Sequence, residues 1–239
     1  MFMKNIIFLF SLVIACSSSL AQNQGDIRFG VFGGPSYAGI WGDDFDDEKD
    51  DLEDEIEDWN DESNVEASGF YRGRLGFHIG VQAEYFLNDY ISLGSAPSYS
   101  QKGFSAKLNV ENDESNDELK YKLKAKLDYL ELPLIATYYL DNGMHLFAGF
   151  STNMLMSDKV EENSESIIDG DSDSDRETDD YDDATGEDLE NSVSGLLFGF
   201  GINTDIGFIN LKFHKTSEWQ ERDEDYANFT TSVSVGVNF

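Results

Sequence analysis

The chain has 239 residues, with 48 Asp and Glu against 16 Lys and Arg and a formal net charge of −32. That length fits one domain or two small ones. So negative a field excludes nucleic acid as a partner and resists anionic lipid surfaces, leaving cations, basic peptides or plain repulsion of neighbours.

The N-terminus reads as an export signal. Lys4 supplies a positive start, and Ile6 to Ala15 form an apolar stretch too short for a spanning helix, which needs about 20 residues. Ser19 and Ala21 put small side chains at the cleavage-determining positions. Residues 1–21 are therefore expected to be a signal peptide and 22–239 the mature chain. The single cysteine offers a second reading, in which "VIAC" (13–16) is a lipoprotein box and Cys16 a lipidated N-terminus. Cleavage after Ala21 removes that cysteine, and disulfide and thiol chemistry with it.

The acids are clustered. Residues 43–62 hold 14, 111–118 hold 5, 158–190 hold 16 and 218–225 hold 5, so four segments carry most of the 48. Between them the chain alternates with period two, the pattern of strands whose two faces meet different surroundings. In 71–87 Tyr71, Leu75, Phe77, Ile79, Val81 and Tyr85 share one face, with Arg72, Arg74, His78, Gln82 and Glu84 on the other. Leu196, Phe198, Phe200 and Ile202 alternate with Gly195, Leu197, Gly199, Gly201 and Asn203, and Phe229 to Phe239 repeats the pattern with Thr, Ser, Gly and Asn between. Eight strands are expected, near 27–41, 70–87, 89–103, 120–140, 143–156, 193–205, 207–217 and 227–239. Short turns ("LND" at 87–89, "DNG" at 141–143, "DIG" at 205–207) alternate with acidic loops at 43–69, 104–119, 157–192 and 218–226. Asn-Gly suits a hairpin turn that needs positive φ.

One strand changes phase. Leu123, Ala125 and Leu127 share a face, while Leu130, Leu132 and Leu134 share the opposite one. Either a bulge near Tyr129 to Glu131 reconciles them, or Lys122, Lys124 and Lys126 stand above a bilayer where facing outward costs little.

Alternating short turns and long loops on an even number of strands is the asymmetry of an outer-membrane barrel. The expected fold is thus all-β: an eight-stranded antiparallel up-and-down transmembrane β-barrel with long acidic extracellular loops and short periplasmic turns. Its bulky faces fit lipid and its glycine-rich polar faces a narrow interior. Tyr71, Tyr85, Tyr90, Tyr99, Tyr129 and Tyr138 are expected in interfacial girdles. Eight strands enclose a lumen that side chains just fill, so an open porin is not expected on size. Arg72, Arg74, Glu84, Glu131 and Lys212 are expected to form an internal ion-paired network.

"YLELPLIATYYL" (129–140) followed by "DNGMHLFAGF" resembles the central hairpin of the PorT-like outer-membrane β-barrel family. "FGVFGGPSYAGI" resembles that family's first strand, and Phe239 resembles an outer-membrane assembly signal. The resemblance implies a barrel in the outer membrane of a Gram-negative cell and assigns no activity; the family's namesake assists a secretion system.

Asp171, Asp173 and Asp175 have the alternate spacing that opens a calcium-binding EF-hand loop, but Arg176 stands where glycine is wanted and Asp182 where a bidentate Glu is wanted. Loop-bound Ca2+ there competes with diffuse cation condensation on a solvated segment. In the first acidic segment Phe45, Leu52, Ile56 and Trp59 make a helical stripe, so a short amphipathic helix is expected over the barrel mouth. His78, His145 and His214 are the only histidines, and no nucleophile motif stands near them. The expectation is a non-enzymatic surface or structural barrel, with no catalytic or cofactor-binding residues, whose partners are outer-membrane lipid and cations or a basic surface partner. A barrel enzyme on envelope lipids, acting through His78 or His214, and a soluble lipocalin-like carrier are the alternatives.

Overall fold

The computed structural model describes residues 24–61, 65–112, 114–115, 117–168, 171–181, 190–204, 206–218 and 227–239. The expected signal peptide (1–21) lies outside these, as does nearly all of the fourth acidic segment. Strand β1 spans Ile27–Trp41, and the helix α1 (Asp43–Asp61) follows it. Nine further strands are β2 (Val65–Phe86), β3 (Ile91–Ser95), β4 (Ser98–Asn112), β5 (Asp117–Tyr139), β6 (Met144–Ile168), β7 (Asp171–Asp180), β8 (Ser192–Thr204), β9 (Gly207–Glu218) and β10 (Ala227–Asn238).

Every pairing is antiparallel, and the ladder β1–β2–β4–β5–β6–β8–β9–β10 returns to β1, so the sheet closes into a ring through eight strands. The other two come from segments whose expected form is corrected here. The strand near 89–103 is split at Ala96 and Pro97 into β3 and β4, because proline has no N–H to continue the ladder. The segment expected as an acidic loop at 157–192 is largely sheet: β6 runs on to Ile168 and β7 pairs back along it. Likewise the segment at 104–119 is the end of β4 and the start of β5, paired from Ser98↔Glu131 to Asn112↔Asp117, and the one at 43–69 is helix α1 and the start of β2.

At one end, called here the turn end, connections are tight. Gly143 has φ +83° in the "DNG" turn, and the Met144 N–H donates to Asn142 Oδ1 at 3.1 Å. At the other, upper end β2, β4, β5, β6 and β7 extend well past β1, β8, β9 and β10.

Strand β5 keeps one phase throughout. Odd positions from Ala125 to Tyr139 face inward and even positions outward. In its lower half the outward positions are apolar, with Leu134 54% exposed. In its upper half the inward positions are apolar, and Ala125, Leu127 and Tyr129 join Val160, Tyr181 and Val193 in a fully enclosed core. The sequence left two readings of this phase change, and the structure selects the second: the lysines face outward beyond the apolar band and β5 needs no bulge. The bulge lies on its partner, where the register passes from Asp128↔Ser157 to Tyr129↔Leu155 and leaves Met156 unpaired. A second register shift, between Gly73 and His78 on β2, turns Ala67, Gly69 and Tyr71 inward near the top.

Helix α1 folds back onto that upper part of β2. Phe45 meets the Tyr71 ring edge-on at 5.1 Å and packs on the upper core, and Asn60 exchanges two hydrogen bonds with the Ala67 backbone, at 2.6 and 3.0 Å. Phe45, Leu52, Ile56 and Trp59 are its half-buried positions, the stripe expected from the sequence.

Candidate functional site: the polar interior

Closure brings inward side chains of distant strands together in two polar clusters. Nearer the turn end, Arg28 of β1 reaches Glu84 of β2, with the guanidinium Nε donating at 3.0 Å, and the Tyr139 hydroxyl donates to both carboxylate oxygens at 3.0 Å. The Arg28 guanidinium also lies 5.0 Å from the centre of the Phe86 ring. This cluster borders a cavity of about 60 Å³, also lined by His145, Asn210 and Lys212. On the scale of about 10–15 Å³ per water it has room for a few waters.

The upper cluster centres on Glu131, 1% exposed. Lys102 Nζ lies 2.9 Å from one carboxylate oxygen and Lys212 Nζ 2.8 Å from the other. Lys102 has no exposed surface at all, and Glu131, the face of Tyr129, 5.1 Å away, and His214 Nδ1, 3.4 Å away, surround its amine. His214 stands between this cluster and Ser151: Nδ1 is 3.4 Å from Glu131 Oε1 and Nε2 is 2.8 Å from Ser151 Oγ. Gly195 makes the last contact feasible, since a Cβ there would strike both His214 Nε2 and Ser151 Oγ. The other histidines are held singly, His78 Nε2 2.7 Å from Ser234 Oγ and His145 Nε2 2.8 Å from Asn210 Oδ1.

Three of the expected network residues are inside as ion-pair partners: Glu84, Glu131 and Lys212. Arg74 sits higher, donating to the Lys102 carbonyl at 2.8 Å, with Asp128 3.8 Å away. Arg72 is corrected: above the β2 register shift its position faces outward and is exposed. Arg28 and Lys102, which complete the two clusters, escaped the sequence reading, although both are cations at inward positions of alternating strands. Tyr129 is also corrected, from interfacial girdle to core, because odd positions of β5 stay inward. Tyr85, Tyr90 and Tyr138 are about half exposed near the turn end.

Asp171, Asp173 and Asp175 occupy alternate positions on one face of β7 and are exposed. A strand spaces such residues roughly 7 Å apart in a line, whereas a calcium loop wraps its oxygens around one point. Among the described residues no group of three or more His, Cys, Asp or Glu is placed to hold a metal.

The sequence model of the outer membrane protein beta-barrel domain matches residues 20–216. The chain belongs to that family. The barrel domain is also similar to solved structures at low identity. Ail, the attachment invasion locus protein of Yersinia pestis, is 12% identical over 90% of this chain and 99% of its own, with a TM-score of 0.40. Neisserial surface protein A is 12% identical over 88% and 97%, with a TM-score of 0.37. The N-terminal β-barrel domain of Pseudomonas aeruginosa OprF is 14% identical over 91% and 100%, with a TM-score of 0.32. No curated protein matches the chain.

Proposed function

We propose that the protein is a non-enzymatic integral outer-membrane barrel. Its turn end faces the periplasm, and its acidic helix and hairpins stand outside the cell, where they attract divalent cations or a basic partner. The reading rests on the outward face of the ring. There Leu75, Ile79, Phe150, Leu196, Phe198 and Val235 are all at least half exposed, an apolar band that water would not tolerate and lipid would. The interior supports a structural role, because ion pairs and hydrogen bonds fill it. The finer placement among PorT-like barrels rests on the 129–140 hairpin and the first-strand motif.

The test is a semi-native gel of the outer-membrane fraction with and without boiling. A membrane-resident band whose mobility shifts on heating is expected. A soluble periplasmic protein with no shift would overturn the reading and favour the apolar-ligand carrier.

One observation favours a second reading, an envelope-lipid hydrolase. Ser151, His214 and Glu131 stand in the order of nucleophile, base and orienting acid. Against it, Ser151 is 5% exposed and does not line the internal cavity, so nothing the size of an acyl group reaches it. A fluorophosphonate probe separates the two. No labelling is expected, whereas labelling lost in Ser151→Ala would establish the hydrolase.

A further inference from the structure

The strongly acidic chain keeps many of its few cations in one place. On the outward face of the upper sheet, Lys107 pairs in register with Lys122, Lys126 with Lys159, and Asn163 with Arg176, while Lys124 lies between Lys122 and Lys126 on the same face. This patch begins where the apolar band ends. Lys126 stands four residues above Leu130, about 13 Å along the strand. At a strand tilt of about 40° that is about 10 Å of height. The polar zone of one leaflet is about 5–8 Å deep, and a lysine side chain that reaches back toward it closes the difference.

The two faces of the extension differ in sign. On β7, Asp171, Asp173, Asp175, Glu177 and Asp179 share the face of inward-pointing Val160, while Ser172, Ser174, Arg176 and Thr178 share the face of the lysines. Acids do not balance the patch locally. Glu161 alone is shared by Lys124 (4.0 Å), Lys126 and Arg176 (3.6 Å), and Lys159 has Asp180 at 3.0 Å. The crowding registers on Lys124, whose pKa is lowered first by the neighbouring Lys122 charge and then by burial. Glu66, Glu111, Glu118 and Glu165 lie further up, toward the tip of the extension. Two cations of the same outward belt sit over aromatic rings as interfacial anchors do: Lys107 is 5.8 Å from the Phe70 centroid and Lys215 4.8 Å from that of Trp41.

We propose that the lower edge of this patch, Lys126 and Lys159 with Lys124 just above them, seats the phosphorylated head groups of the surrounding outer leaflet. The proposal rests on the membrane reading above. It also revises what the net charge alone predicts: the molecule repels anionic surfaces on average, yet the face turned to the leaflet is cationic. Sorting the charges by face removes the contradiction, because within about 10 Å the local sign outweighs the screened total.

The full chain is folded into vesicles of phosphatidylcholine with a minor fraction of phosphatidylglycerol, extracted in mild detergent, and its retained lipids are counted by native mass spectrometry. Phosphatidylglycerol is expected to be enriched several-fold over its mole fraction. The triple variant Lys122→Gln, Lys124→Gln, Lys126→Gln should lose the enrichment and keep the heat shift. Retention at mole fraction in the parent protein, or unchanged enrichment in the variant, overturns the proposal. Release of the lipid by inorganic phosphate, but not by an equal ionic strength of chloride, makes the patch a free-anion site and overturns the lipid assignment. A chain that never enters the vesicles overturns the membrane reading beneath it.

Discussion

The two halves of β5 solve opposite problems with one alternation. Below about Leu130, Leu132, Leu134 and Tyr138 point out while Glu131, Thr137 and Tyr139 point in. Above it, Leu123, Ala125 and Leu127 point in while Lys122, Lys124 and Lys126 point out. A strand in water buries its apolar side chains, and a strand in lipid exposes them. The inversion within a single strand therefore marks the boundary between two solvents. On the membrane reading proposed above, the upper sheet is a small water-facing sheet, with its own core, grown from the rim of the ring.

The largest expected effect strikes what both halves share, the buried charges inside the ring. Glu131→Ala leaves Lys102 enclosed with its carboxylate gone, and should destabilise the fold by about 3–5 kcal/mol. Urea unfolding in vesicles measures this. A cost near zero would mean that water reaches Lys102. The upper half is probed alone by Leu127→Ala. The lost packing should cost about 2–5 kcal/mol, appearing as faster hydrogen exchange in β6 and β7 with the heat shift unchanged. Loss of the heat shift would show that the two halves fold as one unit.

The lower half is probed by Leu134→Arg, expected to cost about 2–4 kcal/mol on a lipid face near mid-membrane. On the same strand Lys124→Leu should change stability by no more than about 0.5 kcal/mol. Similar costs for both would erase the boundary. The smallest effect is pH dependence of the upper sheet. The Lys126 ammonium beside Glu161, with Lys124 and Arg176 adding, holds that carboxyl below the usual range. Its contribution is therefore complete above the ordinary Glu value of about 4.3 and is lost as pH falls through the lower folded value. Exchange in β6 and β7, corrected for intrinsic rates, should rise over that acid window, and Glu161→Gln should abolish the rise.

Much of the ring was legible because period-two alternation survives wherever a strand separates two environments. The bounds of β1, the outward series from Leu196 to Ile202, the Asn142–Gly143 turn and the helical stripe from Phe45 to Trp59 all follow from local pattern. Alternation reports that two faces differ and not which medium each meets, so the inversion on β5 stayed ambiguous until its pairing with β4 and β6 fixed the register. The acidic segments looked like loops because charge density masked their alternation. On β7 Asp171, Asp173, Asp175 and Asp179 occupy one face and the serines the other, which makes a strand despite poor β propensity. The interior clusters were half legible. Glu84, Glu131 and Lys212 announce themselves as ions on polar faces. The partners Arg28 and Lys102, and the contact of Ser151 with His214, depend on which strands closure brings together.

The boundary itself is tested most directly by nitroxides placed singly at Leu134, Phe150 and Leu196 below it and at Lys124 and Ser172 above it, in vesicles. The account predicts high oxygen and low nickel-chelate collision rates at the first three positions and the reverse at the last two. Equal access of the nickel chelate to both sets would put the whole outward face in water and contradict a membrane ring.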